Sequence, residues 1–387
     1  AIEVNGLSAS ARLRQAVVLA GECAYRFDSF KTTPKAQPVK LKAVTILTAS
    51  KATKAMSDAV TEGAAIVEGM NLTRDLGNLP GNICTPTYLA NEAKKLAKTF
   101  GLKCLILEKA AMEKLGMHSL LAVAKGSDQP PKFIVLEYNA GKKTDKPVVL
   151  VGKGITFDTG GLNAKDYDGM LDMKNDMGGA AAVLQVMSIL SVLKPQISVR
   201  AVIAASENLI DAKAMRQGDI LKTMAGLTVE IGHTDAEGRL TLADALHYIQ
   251  TVSGANQVID VATLTGDVET ALGDKISGVM GNSERFTREV LKCSKEAGEP
   301  MHELPLFDEY RDCNKGVMAD LNNSGTGPGA ISAGWFLREF IQDGTVWVHM
   351  DVAGTSFRRY DHGVDAAGAT GVAVRTLGQL LRQYSKL

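Results

Sequence analysis

The sequence predicts an α/β fold, in which a mostly parallel central sheet carries helices on both faces. Strand-like apolar runs alternate with helix-like segments over most of the 387 residues, as in strand–helix–strand units. The strand-like runs are apolar throughout, which is typical of strands buried on both faces. The 38 glycines supply the tight turns that such a fold needs.

The chain is too long for one ordinary core, so we expect two domains of unequal size. A helix is predicted over 9–25 and a short strand over 42–47, which is too little to close a core. A second helix is predicted from residue 55 to Leu76, where the Asn/Pro/Gly-rich segment 78–82 stops it. We therefore expect a remnant of an N-terminal α/β domain at 1–54, a linking helix at 55–75 and a C-terminal domain at 76–387.

The C-terminal domain continues the alternation. Helices are predicted over 86–100, 110–115, 178–193, 240–252 and 329–342. Strands are predicted over 103–107, 133–138, 147–151, 197–205, 227–231, 258–263 and 346–352. Ligands bind at the carboxyl ends of strands in such sheets, so polar segments that follow strands are the first candidates for a functional site.

Composition narrows the class of protein. The 43 basic and 43 acidic side chains cancel, which gives no support to nucleic-acid binding through bulk charge. No apolar stretch reaches membrane-spanning length. The five cysteines are dispersed and form no C-x-x-C, which favours reduced thiols in a cytoplasmic compartment. Organellar targeting stays open, since the chain begins at Ala1 without an initiator Met.

The most distinctive segment is HTDAEGRL at 233–240, between a strand-like and a helix-like run. If it is extended, the i, i+2 spacing points Asp235, Glu237 and Arg239 toward one spot. Two adjacent acids repel each other unless a cation or a shared proton lies between them. A metal ion is the simplest explanation, with Arg239 free to hold an anion, although Arg239 could also pair with Glu237.

A second unusual segment, VGKGITFDTGG at 151–161, follows the strand predicted over 147–151. We expect its glycines to form a sharp turn that brings Lys153 and Asp158 toward a ligand. Downstream, Asp172 and Asp176 have the i, i+4 spacing of one helix face. A phosphate-binding loop is disfavoured, because the G-x-x-x-x-G-K-[ST] order is absent. The H-E-x-x-H and G-x-S-x-G motifs are absent as well.

The carboxylates of these segments favour metals that accept oxygen ligands, such as Mn²⁺, Mg²⁺ or carboxylate-bound Zn²⁺. Four of them, Asp158, Asp176, Asp235 and Glu237, exceed the charge that one divalent ion needs. Two ions with bridging carboxylates are the natural arrangement, and such pairs lie roughly 3.5–4 Å apart. Asp172 is more simply read as part of a solvated helix face.

On these motifs the chain resembles the leucyl aminopeptidases, which are two-metal exopeptidases. Their signature NTDAEGRL stands here as HTDAEGRL at 233–240, and their VGKG-x-TFD-x-GG is matched at 151–161. Further matches are DMKNDM at 172–177, DVATLTG at 260–266 and DVAGT at 351–355. The resemblance extends from about Asp75 to the C-terminus.

The resemblance implies two divalent ions, Mn²⁺ or Zn²⁺, with Mg²⁺ and Co²⁺ as further candidates. The implied ligands are Lys153, Asp158, Asp176 and Glu237 for one ion, and Asp158, Asp235 and Glu237 for the other, with Asp158 and Glu237 bridging. It further implies that Lys165 polarises the scissile carbonyl and that Arg239 binds a bicarbonate acting as general base. The implied substrate-binding residues are Met173, Thr263, Leu264, Gly266 and Ala353.

The implied function is a metal-dependent aminopeptidase that removes Leu-like or Met-like N-terminal residues from peptides by means of a water activated by two metal ions. A cytoplasmic homohexamer of two stacked trimers is implied as well, with no membrane or nucleic-acid partner. The alternatives are a catalytically altered or binding homologue, for example a DNA-binding one, and a two-metal phosphohydrolase. The intact ligand set argues against a lost site, because buried carboxylates are costly without a metal.

The chain departs from the family pattern at three places. His233 stands where the family has Asn, and we expect a tolerated replacement that leaves the ligands in place. In the segment 207–219, Gln217 replaces Pro and Asp211-Ala212 replaces a pair of small residues, which affects packing rather than ligands. Relatives usually have a complete α/β domain before the linking helix, of which we expect only the last part here.

Overall fold

The computed structural model describes residues 8–32, 43–48, 51–139, 147–361, 363 and 366–385. The helices are α1 (Ala9–Ala24), α2 (Lys54–Asn78), α3 (Pro86–Phe100), α4 (Lys109–Leu115), α5 (His118–Val123), α6 (Tyr167–Leu171), α7 (Gly178–Leu193), α8 (Gly238–Thr251), α9 (Gly266–Leu272), α10 (Glu284–Ala297), α11 (Gly329–Arg338) and α12 (Val374–Gln383). The strands are β1 (Lys103–Leu107), β2 (Lys132–Tyr138), β3 (Val148–Asp158), β4 (Val199–Asn208), β5 (Ile220–Lys222), β6 (Thr228–Glu230), β7 (Gln257–Ala262), β8 (Ser277–Gly281), β9 (Met301–Glu303), β10 (Leu321–Asn322), β11 (Val346–Asp351), β12 (Phe357–Arg358) and β13 (Gly368–Ala369).

The predicted α/β fold class is confirmed. Eight strands form one sheet in the order β1-β2-β4-β3-β7-β11-β8-β9. The four central strands, β4, β3, β7 and β11, are parallel to their neighbours within this group. The antiparallel pairs β1–β2, β2–β4 and β8–β11 lie toward the two edges. The carboxyl ends of the central strands therefore meet at one edge of the sheet, where the candidate residues cluster.

Helices cover both faces of this sheet, and each face has its own apolar core. Consecutive residues of β2 show the division, because Phe133 belongs to one core and Ile134 to the other. The first core packs α2, α3, α7, α10 and α12 against the sheet. The second packs α4, α5, α8 and α11 against the opposite face. Among the described residues, no helix is long and apolar enough to cross a bilayer.

Local sequence signals set the helix boundaries. The Thr53 hydroxyl caps α2 by accepting a hydrogen bond from Met56 N, and Thr85 caps α3 in the same way. α3 begins with Pro86 and ends at Gly101, whose φ of 68° is left-handed. The residue before α8 is an exception, because the Glu237 side chain makes no capping hydrogen bond. Its carboxylate is used in the functional site instead.

The largest difference from the predicted elements lies in β3, which continues seven residues beyond 151, through the glycine-rich segment. The glycines at 152 and 154 therefore do not form the expected turn. They allow close packing, since a Cβ at Gly152 would lie 2.6 Å from Ala180 Cα and one at Gly154 would lie 2.9 Å from Ala204 O. The strand thereby delivers Lys153 and Asp158 from one continuous element.

Other predictions need correction. The strand predicted over 42–47 is wrong for 43–47, which have no regular structure, while residue 42 lies outside the described part of the chain. The helix face predicted for Asp172 and Asp176 is also wrong. Asp172 follows α6, and Asp176 follows a short 3₁₀ turn before α7. The elements β8, β9, α10 and α12 were not predicted. The amphipathic periodicity of α10 and α12 is present in the sequence and is a sufficient signal for both helices, whereas β9 is only 3 residues long.

Candidate active site

The predicted site residues meet at one cavity of about 940 Å³ beyond the carboxyl ends of the central strands. Six of the seven candidate catalytic and metal-binding residues line it, namely Lys153, Asp158, Lys165, Asp176, Asp235 and Arg239. The seventh, Glu237, is only 1% exposed and lies beneath the floor. Segments that are far apart in sequence thus contribute to a single site.

Lys153 is the centre of the first charge cluster. Its Nζ lies 2.8 Å from Asp176 Oδ2 and 2.9 Å from Glu237 Oε1, and it donates to the Thr263 carbonyl at 2.8 Å. The Thr263 hydroxyl in turn donates to Asp176 Oδ1 at 2.7 Å. A Cβ at position 238 would lie 2.7 Å from Lys153 Nζ, so a larger residue there would displace the lysine from these partners. Packing therefore holds this lysine against two buried carboxylates.

Lys165 joins the second cluster. Its Nζ lies 3.0 Å from Asp158 Oδ2 and 2.5 Å from Asp235 Oδ1. Asp158 is fixed from its other side, where its Oδ1 accepts from Gly160 N at 2.9 Å and from the Asn208 amide at 2.8 Å. The Lys165 side chain is 17% exposed and that of Asp235 is 26% exposed, whereas that of Asp158 is 2% exposed, so Lys165 and Asp235 both reach the cavity.

The donor set fits divalent metal ions. Asp158, Asp235 and Glu237 each offer a carboxylate oxygen within 4.8 Å of the others. Glu237 Oε2 is buried without a hydrogen-bond or ion-pair partner among the described residues. Three carboxylates this close need positive charge between them. A ligand set of carboxylate oxygens and one amine nitrogen, that of Lys153, suits Mn²⁺, Mg²⁺ or Zn²⁺. The two lysines already supply part of that charge.

The electrostatics of the cluster favour a bound cation. Burial, together with neighbouring acids, raises the pKa of the Asp176, Glu237 and Asp235 carboxyls. Burial also disfavours the Lys153 ammonium, but the surrounding carboxylates outweigh burial and raise its pKa. A metal can bind Lys153 only through the neutral amine, so coordination must release the lysine proton.

Arg239 lies in the first turn of α8 and presents a cation to the cavity. One of its terminal nitrogens, Nη1, donates to the Asn323 carbonyl at 2.9 Å. Its Nε is buried and has no hydrogen-bond partner among the described residues. Burial lowers the Arg239 pKa to about 10, which still leaves the guanidinium charged at neutral pH. It forms no ion pair with Glu237 in the part of the chain that the structure describes, and its role as an anion site stays a prediction.

The loop that carries Asp235 is a turn and not the extended segment that the i, i+2 spacing predicted. Ala236 N donates to His233 O, and the Asn323 amide donates to the carbonyls of both His233 and Ala236. Asp235 and Glu237 still converge, but the turn and the start of α8 bring them together. The convergence was predicted for the wrong geometric reason.

His233 makes a local hydrogen bond of a kind that an Asn side chain can also make. Its Nδ1 accepts a hydrogen bond from Asp235 N at 3.2 Å. An Asn side chain offers an acceptor to the N–H two residues on in the same way. Burial, with the nearby charges of Lys165 and Arg239, lowers the pKa of His233.

The five predicted substrate-binding residues, Met173, Thr263, Leu264, Gly266 and Ala353, all line the cavity. Asp172 lines it too, but its carboxylate pairs with Arg359 at 2.7 Å. Two supporting residues were not predicted. Asn208 stands at the carboxyl end of β4, where the strand-end rule could have found it, whereas Asn323 lies in a loop without a recognisable motif.

Fold and site together define a metalloenzyme of the α/β class, with a carboxylate cage at the strand ends. The model of the cytosol aminopeptidase family, catalytic domain, matches residues 71–378. The chain belongs to this family, whose members are metal-dependent aminopeptidases. It is 45% identical to a probable cytosol aminopeptidase of Nitrosomonas europaea over 382 residues, which are 98% of this chain and 76% of the relative.

A cytosol aminopeptidase of Pseudomonas aeruginosa is 46% identical over 388 aligned residues, covering 100% of this chain and 77% of the relative. Among solved structures, the bottromycin maturation enzyme BotP in complex with Mn superposes with a TM-score of 0.91 at 36% identity. That match covers 99% of this chain and 82% of BotP. The predicted family is therefore confirmed.

Proposed function

We propose that the chain removes N-terminal residues from peptides with the help of two divalent ions in the cavity. Lys153, Asp158, Asp176, Asp235 and Glu237 would hold them, with Asp158 and Glu237 shared. The observation that carries the proposal is that Asp158, Asp235 and Glu237 each offer a carboxylate oxygen within 4.8 Å of the others. Glu237 Oε2 is in addition buried without a partner among the described residues. Mn²⁺ is favoured because the similar enzyme BotP was solved in complex with Mn, and Zn²⁺ is the second candidate.

Two bound ions would supply an activated water near neutral pH and polarise the scissile carbonyl. Lys165 would act directly on the substrate. Its ammonium borders the cavity beside Asp158 and Asp235, where a tetrahedral oxyanion would need positive charge. If Asp158 and Asp235 held metal, Lys165 would be released from these two partners and its charge would be available to the substrate.

Arg239 would bind the anion that serves as general base, and bicarbonate is the candidate. Its partnerless Nε and buried guanidinium offer the planar donors that a carbonate-type anion accepts. No histidine lines the cavity, so a side-chain base of that type is absent among the described lining residues. The bound anion would accept the proton of the attacking water.

Met173, Thr263, Leu264, Gly266 and Ala353 would form the pocket for the N-terminal residue and its backbone. The apolar Met173 and Leu264 side chains favour Leu-like or Met-like residues. The names of the relatives, which are cytosol aminopeptidases, support a cytoplasmic location.

The central test removes two of the proposed metal ligands, one at a time. Asp235→Ala and Glu237→Ala should each lower kcat/KM for leucine amide by about a thousandfold or more, because each deletes a ligand in a water-excluded site. Glu92→Gln, a change in the surface ion pair with Lys95, is the matched control and should retain full activity. Activity should return to metal-stripped wild-type protein on addition of Mn²⁺ or Zn²⁺, and bicarbonate should raise it further.

If Asp235→Ala and Glu237→Ala both kept the activity of the wild type, the proposal would be refuted. Metal-dependent cleavage of phosphate esters in place of amino-acid amides would identify a phosphohydrolase instead. A properly folded, metal-loaded protein without any turnover would identify a binding homologue.

A homohexamer is proposed from the family resemblance alone. Native mass spectrometry or light scattering of the metal-loaded protein should then give six times the chain mass of 41.1 kDa. A monomer or dimer at micromolar concentration would contradict this assembly.

A further inference from the structure

A second cleft lies beside the metal centre, at the end of β4. It has an outer lobe of about 540 Å³ and an inner lobe of about 230 Å³, which share Gln129, Glu207 and Leu209. We call it the Glu207 cleft. The outer lobe is within the roughly 300–1,000 Å³ usual for small-molecule sites. Nothing in the proposed hydrolysis uses this cleft, although it includes part of the segment 207–219 that departs from the family pattern.

Glu207 is a buried carboxylate with half of its hydrogen-bonding capacity unused. Glu207 is 6% exposed, and its Oε2 accepts a hydrogen bond from the Ser127 hydroxyl at 2.5 Å. Among the described residues, Oε1 has no hydrogen-bond partner and no basic side chain pairs with the group. Burial raises the Glu207 pKa. A carboxylate kept in this state at a cleft wall is suited to a cation that arrives from solution.

The lining of the two lobes indicates which cation fits. Among the described residues, Glu207 is the only charged one in the outer lobe. The other lining residues are Gly81, Asn82, Thr85, Gln129, Phe157 and Leu209. An ammonium group attached to an apolar body matches this combination of one carboxylate, amide oxygens and the Phe157 and Leu209 side chains. A divalent metal would require more carboxylates than this lobe provides.

The inner lobe adds basic side chains beside acidic ones. Lys125 and Lys213 line it, together with Asp128 and Asp211. The Asp211 carboxylate is already used by its own turn, where it accepts from Lys213 N at 2.8 Å. Lys125 and Lys213 are exposed and line this lobe, so their ammonium groups are available to a carboxylate bound there, beside Glu207.

We propose that the Glu207 cleft binds a free amino acid as its zwitterion. The ammonium group would contact Glu207 Oε1, the carboxylate would contact Lys125 and Lys213, and an apolar side chain would lie in the outer lobe against Phe157. The chemical class is that of a large apolar amino acid such as leucine or methionine. This inference concerns a second site and does not depend on hydrolysis in the main cavity.

The cleft is connected to the metal centre through adjacent residues on two strands. Asn208 follows Glu207 on β4 and donates its amide to Asp158 Oδ1. Phe157 precedes Asp158 on β3. An amino acid in the cleft thus contacts the immediate neighbours of residues that fix a candidate metal ligand, which gives the bound amino acid a physical route to alter the activity.

Crystals of the metal-loaded protein soaked in L-selenomethionine test the proposal, because selenium is located by its anomalous signal. Wild-type protein should show a selenium peak in the outer lobe. Glu207→Gln should lose that peak and keep any peak in the main cavity. A wild-type cleft without selenium, or an equal peak in Glu207→Gln, would overturn the proposal.

Calorimetric titration separates the two charged contacts in solution. Lys213→Ala should bind leucine at the cleft about tenfold or more weakly, since a charge-assisted hydrogen bond is lost, while binding of isoamylamine, which has no carboxylate, stays unchanged. Lys222→Ala is the matched control, because Lys222 is exposed and lines neither lobe. Equal affinities of Lys213→Ala and Lys222→Ala for leucine would contradict the assigned carboxylate contact.

Discussion

At the scale of single residues, one hydrogen-bonding atom can matter more to the site than the type of residue that carries it. His233 shows this, because Nδ1 occupies the position of an acceptor for Asp235 N. His233→Asn should keep that acceptor and leave kcat/KM within about twofold of wild type. His233→Leu removes it and should lower metal retention and kcat together, as measured by bound Mn²⁺ per chain and steady-state kinetics.

The comparison of these two variants decides between positioning and chemistry. If His233→Asn loses activity as severely as His233→Leu, the imidazole itself takes part in binding or catalysis. A structural role predicts rescue by the conservative Asn variant, with an unchanged pH profile.

The site residues could be identified from sequence because the motifs are contiguous and rich in carboxylates. The geometry of these residues could not be predicted in the same way. Asp235 and Glu237 converge through a turn held by Asn323, which is almost ninety positions away and has no motif of its own. Long-range hydrogen bonds of this kind leave no periodic pattern in the sequence.

At the scale of elements, α8 connects the site to the rest of the fold. Its Asp244 is fully buried and accepts backbone hydrogen bonds from Leu120 N in α5 and from Met224 N in the loop before β6. Burial removes water from the Asp244 carboxylate. This strengthens its hydrogen bonds to the backbone, but it also raises the free energy of the ionised form. Burial raises the Asp244 pKa to about 6, although the two backbone donors oppose that shift.

This shift predicts how pH acts on stability. The pKa of Asp is about 3.9 in an unfolded chain, so the folded state binds this proton more tightly. The stabilising contribution is fully present below pH 4 and is lost as pH rises through 6. Relative to wild type, Asp244→Asn should therefore gain on the order of 2 kcal/mol in unfolding free energy between pH 4 and 6.5, measured by denaturant unfolding of metal-stripped protein.

The loss of one backbone hydrogen bond adds an offset to Asp244→Asn that does not change with pH, so the slope is the diagnostic quantity. Asp58→Asn, at an exposed position of α2, is the matched control and should show no such slope. Parallel pH profiles for wild type and Asp244→Asn would refute the assigned ionisation.

Element types were predictable where periodicity was strong, and element ends were not. The boundaries of α3 and β1 agree with the sequence reading, because caps and glycines mark them. β3 was predicted too short, since Gly152 and Gly154 indicate a turn when only local sequence is considered. Their actual cause is the close approach of α7 and β4, which is a tertiary contact.

At the scale of the whole molecule, buried charged side chains attach α1 to α2 and α12. Glu22 contacts Arg74 of α2 at 3.2 Å, and both side chains are 2% exposed. Arg375 of α12 lies 3.3 Å from the other Glu22 oxygen. Arg74 also donates to the Thr370 carbonyl and lies 5.0 Å from the Tyr25 ring centre. Sequence alone predicted the helix but not this attachment, because its partners are separated by up to 353 positions.

Removing one member of this cluster should destabilise the whole protein. Glu22→Ala removes the carboxylate that contacts the buried guanidinium of Arg74 at 3.2 Å, and breaking a buried ion pair costs about 3–5 kcal/mol. Glu92→Ala breaks an exposed ion pair with Lys95 and should cost about 0.5 kcal/mol or less. Thermal unfolding of the metal-loaded proteins should therefore show a Tm several degrees lower for Glu22→Ala than for Glu92→Ala. Equal Tm values would mean that α1 is not held by this buried pair, and that its packing against α2 alone keeps it in place.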